Sequence, residues 1–139
     1  MTEDAAVRRR TMQAVRSENT KPELAIRHMV TGLGYRYRLH RKDLPGTPDL
    51  AFISRRKAVF VHGCFWHGHD CPRGARTPKT NRDYWTTKIS KNRIRDEAHR
   101  LELKARGWQS LIIWECELKG PLKIQSRLSQ FLEKHHESN

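Results

Sequence analysis

Apolar positions in this chain come in short blocks whose spacing switches between helical and alternating. Ile26, Met29, Val30 and Leu33 follow the i, i+3, i+4, i+7 rule of one helix face. The "TKPE" just upstream supplies a start, with Thr20 as N-cap, Pro22 in the first turn and Glu23 completing a capping box; Gly34 is the stop. "YRYRLH" then alternates like a strand, and "DLPGTP" is a turn. "DLAFI" and "KAVFV" read as two buried strands joined by a polar "SRRK" hairpin. A long charged helix follows around 80–106, with Ile94, Ala98, Leu101 and Ala105 on one face. "GWQSLIIW" reads as another buried strand and "PLKIQSRLSQFLEKHH" as a closing helix. The order αβββαβα predicts a small α/β domain built on a mixed sheet.

Residues 1–19 are expected to form a basic arm or helix, 20–134 the domain itself, and 135–139 a frayed tail. A chain of 139 residues suits one domain. No run approaches the ~20 apolar residues of a membrane span. The N-terminus lacks the apolar h-region of a secretory signal, so an intracellular, cytoplasmic location is expected. Charge sharpens the picture: 28 Lys and Arg against 15 acidic residues leave a net +13. An excess this large in a short chain points to a polyanion, because each neutralised phosphate releases counterions. Nucleic acid fits better than an acidic membrane surface, since no strongly apolar amphipathic helix or lipidation signal accompanies the charge.

An odd count of three cysteines argues against a disulfide framework. Cys64, His69 and Cys71 stand at C-x4-H-x-C spacing, and Cys116 arrives at the end of the "LIIW" strand. Three thiolates and an imidazole would make a closed tetrahedral zinc site. Buried cysteines often serve only as small apolar residues, but here every cysteine is used and two lie beside histidines. His62 and His67 are left over, available for acid–base work or phosphate contact. Asp49 stands after a proline turn at the mouth of a strand, where an acid either caps the turn or holds Mg²⁺ for a nuclease. Trp85, Ile89, Asn92 and Asp96 fall on one stripe of the long helix, opposite Ile94, Ala98, Leu101 and Ala105.

"PGTPDLAF", "VHGCFWHGHDC", "YWTTKISKNRIRD", "GW" and "IIWECEL" occur in this order. Together they resemble the very short patch repair endonucleases, the Vsr family, from about the first helix to Leu118. The resemblance implies a restriction-endonuclease-like fold with a structural zinc, and nicking of DNA 5′ to the thymine of a T:G mismatch left by 5-methylcytosine deamination. It implies that Asp49 ligates Mg²⁺ with the backbone carbonyl of Val61. His67 would be the general acid or base with Asp96 as its charged partner, and His62 would assist near the phosphate. Cys64, His69, Cys71 and Cys116 would bind zinc. Phe65, Trp66 and Trp85 would form a wedge that intercalates beside the mismatch. Glu23 matches a glutamate near the family's site, although the capping box explains it equally well. A monomer is implied, with MutL and a repair polymerase as partners.

Two departures stand out. Val61 replaces a threonine that family members can carry, which keeps the carbonyl and loses a hydroxyl. The acidic-x-lysine signature of ordinary restriction-type nucleases is absent from this strand, where "VFVHG" stands instead. Two other functions fit the same residues less completely. A restriction-type nuclease of different specificity would keep the site. A zinc-stabilised, non-catalytic DNA-binding module would leave Asp49, His67 and Asp96 without a task.

Overall fold

The computed structural model describes residues 19–65, 67, 69, 71 and 81–133. The expected N-terminal arm (apart from Asn19), the C-terminal tail and Trp66 lie outside them. Helix α1 (Lys21–Gly32) leads into β1 (Arg38–Leu39), β2 (Leu50–Phe52) and β3 (Lys57–His62). Helix α2 (Arg82–Ala105), β4 (Gln109–Trp114) and α3 (Pro121–Glu133) complete the expected αβββαβα order. The sheet runs β1-β2-β3-β4. Its first three strands are antiparallel neighbours, and β3 pairs parallel to β4. The sheet is therefore mixed, as the order of elements predicts.

Thr20 caps α1, its Oγ1 accepting from the Glu23 amide at 3.3 Å. The other half of the expected box is shifted by one residue: Glu23 Oε1 accepts from the Asn19 amide at 3.0 Å. "YRYRLH" contributes only Arg38 and Leu39 to the sheet, and His40 at φ +47° ends the strand. Its tyrosines still turn inward and pack on Phe52. Between β2 and β3 a tight turn at Ile53–Arg55 ends with Arg56 at φ +53°.

Side chains alternate across the sheet. One face presents Leu50, Phe52, Val59 and Ile113 to Ile26 and Val30 of α1 and to Ile124, Leu128 and Leu132 of α3. Helix α3 has no basic residue in its last turn. Two cations from the β2–β3 turn region take over that role: Arg55 Nη1 donates to the Leu132 carbonyl at 2.8 Å, and buried Lys57 donates to that of Phe131.

The other face carries α2, and here the expected packing is reversed. Ile94 and Leu101 are 71% and 50% exposed, and Ala98 and Ala105 are also exposed. The inward stripe is Ile89, Asn92, Asp96, His99 and Leu103. Only Leu103 reaches an apolar cluster, with Leu44, Ala51 and Ala58. Asn92, Asp96 and His99 cover a polar cavity of ≈ 430 Å³ that includes His62 and Ser110. A helix turns its apolar stripe inward only where the opposing surface is apolar, and this surface is not. None of the described helices is long and apolar enough to cross a membrane.

Leu103→Ala should therefore cost about 2–5 kcal/mol, whereas Leu101→Ala stays within about 0.5 kcal/mol. Urea unfolding of the two variants measures the difference. Equal losses would restore the exposed stripe to the core.

Candidate active site and metal cluster

Strand pairing builds the site. Leu50 lies opposite Val59 in the antiparallel β2–β3 pair, so the residue before β2 reaches the end of β3. That residue is Asp49, whose Oδ2 accepts from the Val61 amide at 2.7 Å. Burial pushes its carboxyl up to about 6, against the Val61 hydrogen bond and with help from the Glu23 charge. Glu23 itself is buried. Its Oε2 takes Arg27 Nε at 3.1 Å and His40 Nε2 at 2.6 Å. Ligand atoms of Glu23, His40 and Asp49 all lie within 4.8 Å of one another. Glu23 thus has a place in the cluster as well as at the helix start.

On the α2 side of β3, His62 and His67 stack face to face, with ring centroids 3.7 Å apart and planes at 6°. His67 Nδ1 meets Asp96 Oδ2 at 2.5 Å. Burial works against the Asp96 charge, yet the His67 hydrogen bond and nearby positive charge hold its carboxyl below the usual range. His62 is pushed down to about 3, chiefly by burial and then by His67. Its Nδ1 is buried without a partner among the described residues. His62 is thus a neutral imidazole stacked on one that is paired with a carboxylate.

The third cluster joins the loop after β3 to the turn after β4. Donor atoms of Cys64, His69, Cys71 and Cys116 lie within 4.8 Å of one another, and Cys116 Sγ stands 3.5 Å from His69 Nδ1. Backbone bonds shape the loop: the His69 amide donates to the Cys64 carbonyl and the Cys71 amide to that of His69, each at 2.9 Å. Burial and crowding by neighbouring thiols push Cys64 up to about 12 and raise Cys116 as well. Thiols so close together ionise jointly only against a cation, so these four side chains form a candidate metal site. The His69 ring lies flat on Trp114 at 4.1 Å. Phe65, on the same loop, meets Trp85 of α2 edge to face at 5.4 Å.

Residues 2–73 match the sequence model of the family described as DNA mismatch endonuclease Vsr. The chain belongs to the Vsr family. It is 52% identical over 126 residues to the type II nicking enzyme V.XorIIP of Xanthomonas oryzae pv. oryzae, covering 91% of this chain and 92% of that protein. It is 38% identical over 121 residues to the DNA mismatch endonuclease Vsr of Escherichia coli, covering 87% and 77%. With V.NmeAIP of Neisseria meningitidis, a type II nicking enzyme, it shares 40% identity over 121 residues. This Vsr chain is a DNA endonuclease, and its mixed sheet with a Cys/His cluster suits the family.

Every expected Vsr site residue that falls among the described ones takes a place in one of these groups. Sequence reasoning missed three neighbours: His40 beside Glu23 and Asp49, and Arg95 and His99 lining the cavity with His62, His67, Asn92 and Asp96. Arg27 was legible as the i+4 partner of Glu23. His40 was not, because only the β1–β2 register brings it to Asp49, whose carbonyl accepts from the His40 amide at 3.2 Å.

Cys116→Ser should strip most of the tightly bound transition metal from the purified protein and lower its melting temperature. Atomic emission and calorimetry read the two effects. Undiminished metal content would remove Cys116 from the ligand set.

Proposed function

We propose that this Vsr-family endonuclease nicks one DNA strand 5′ to the T of a T:G mismatch, with Mg²⁺ as the catalytic ion and Zn²⁺ as the structural one. The observation that carries the proposal is the Asp49 carboxylate, held at 2.7 Å by the Val61 amide, next to the His62–His67–Asp96 array. Hard carboxylate and carbonyl oxygens suit Mg²⁺, and Asp49 makes no ion pair with the described residues. Asp49 and the Val61 carbonyl would hold the ion, which offsets charge on the scissile phosphate and activates water when bound. Three sulfurs and an imidazole suit Zn²⁺ in a closed site.

His67 then exchanges the proton. Its Nδ1 is engaged by Asp96, so Nε2 is the nitrogen available to the reacting oxygens. The imidazolium that forms is compensated by the Asp96 carboxylate. His62 stays neutral and offers a polar contact near the phosphate. Glu23, held by Arg27 and His40, fixes negative charge beside Asp49.

The zinc loop holds Phe65, and by the family pattern Trp66, for insertion with Trp85 at the mismatch. Opening a base step costs a few kcal/mol, which stacking on rigid aromatics offsets. A wobble pair opens more readily than T:A, so the wedge discriminates. The nick would pass, from a monomeric enzyme acting at the nucleoid, to a repair polymerase with MutL as a partner.

End-labelled duplexes that differ only in one T:G or T:A pair, over several flanking contexts, test this. Wild type with Mg²⁺ should nick 5′ to the mismatched T, Asp49→Ala should not, and His67→Ala should be slower by roughly 10²–10⁴-fold. Equal cutting of T:A points to a restriction-type enzyme, and tight binding without any nick leaves a DNA-binding module.

A pH prediction follows from Asp49. Its carboxyl is raised from 3.8 to about 6 in the fold. The stability gained by keeping it protonated is full below about pH 4 and is lost as pH rises through about 6. Mg²⁺ should offset that loss, so the increase in melting temperature on adding Mg²⁺ should grow from about pH 5 to about pH 7. A constant increment over that range would exclude Asp49 as the ligand.

A further inference from the structure

The aromatic surface of α2 extends beyond the wedge. Tyr84 meets Trp85 edge to face at 5.1 Å, yet 57% of it is exposed, and neither the core nor the catalytic array uses it. It forms one wall of an open groove of ≈ 480 Å³ completed by Asp83, Thr87, Lys88 and Lys91. Tyr84, Lys88, Lys91 and Arg95 stand at i, i+4, i+7 and i+11 on the helix. That stripe runs one residue out of step with Trp85, Ile89, Asn92 and Asp96, about 100° around the axis. DNA laid along the catalytic stripe therefore meets an aromatic and three cations beside it.

We propose that this groove is a nucleotide subsite of the endonuclease, in which a base bordering the opened step stacks on Tyr84 and its phosphate lies between Lys88 and Lys91. The assignment rests on Phe65 and Trp85 acting as the DNA wedge. The polarity of the groove sets the orientation. Asp83 repels a phosphate from the Tyr84 end and can accept a hydrogen from a base amino group there. The phosphate belongs at the lysines, about 6–10 Å further along the helix, a distance one nucleotide bridges. Lys88 Nζ stands 6.0 Å from the Tyr84 centroid, which places a cation beside the aromatic as the subsite requires, and more than half of Tyr84 is open to solvent. Stacking of this kind is tolerant of sequence because every base has a π face. Tyr84 would add grip beside the mismatch without choosing the flanking base.

The test is photo-crosslinking of the full-length Asp49→Ala protein to T:G duplexes with 5-iodouracil scanned through positions flanking the mismatch, the modified residue being read by mass spectrometry. An adduct on Tyr84 from a flanking position is expected. In the same background Tyr84→Ala should weaken binding by roughly 5- to 150-fold, with the salt slope unchanged and an unaltered circular dichroism spectrum. Tyr84→Phe should bind like its parent, and Lys91→Gln should lower the salt slope by about 1. Adducts on Phe65 or Trp85 but never on Tyr84 would overturn the subsite and leave the wedge standing, even if Tyr84→Ala bound poorly by unsettling Trp85. No adduct on any of the three would overturn the wedge and the subsite together.

Discussion

The parallel register of β3 on β4 is the constraint on which the rest of the site depends. Six residue pairs run from Lys57 opposite Gln109 to His62 opposite Trp114. Two residues beyond that last pair, on each strand, stand Cys64 and Cys116. One register thus decides both that the thiols meet and that His62 emerges beside Trp114. A slip by one residue would turn every side chain of a strand to the opposite face. It would part the cysteines and bury the wrong residues against α1 and α3. The apolar alternation that fills the core is therefore also what aligns the chemistry.

Trp114 is the wall between the two halves of the site. Its indole takes the His69 ring flat on itself at 4.1 Å and the edge of His62 at 5.2 Å. His67, stacked on His62, is bound in turn to Asp96 on α2. A continuous chain of ring contacts thus joins the Cys/His cluster to the stacked histidines and on to the long helix. Close packing of these rings ties the placement of the imidazoles to that of the Cys/His cluster.

Burying polar groups is costly unless each finds a partner, and the fold meets that condition with both local and long-range pairings. Lys57 satisfies the end of α3, Glu23 is surrounded by donors from Asn19, Arg27 and His40, and Asn92 takes Arg95. His62 Nδ1 is the exception among the described residues. An unsatisfied buried nitrogen in a cavity is the kind of group a substrate atom can satisfy. Helix α2 makes the same exchange on a larger scale. It turns Asn92, Asp96 and His99 inward and leaves Ile94 and Leu101 in solvent, giving up packing to form one wall of the polar cavity.

Local pattern alone determined the kind and order of the elements, the Thr20 cap, the basic surface, the four metal-capable ligands and the family-specific strings. These depend on spacing within one segment or on total charge, both of which a sequence carries directly. Tertiary structure decided the rest. The amphipathic pattern of α2 indicated the wrong buried face, because hydrophobic periodicity assumes an apolar partner surface and this helix lies over a polar one. The alternation of "YRYRLH" promised a longer strand than the two residues, Arg38 and Leu39, that pair with β2. Whether Glu23 was only a cap, and whether His40 belonged to the site, depended on pairings between residues 17 apart that no local rule reveals. Local spacing names the chemistry available to this chain; strand register decides which of those groups meet.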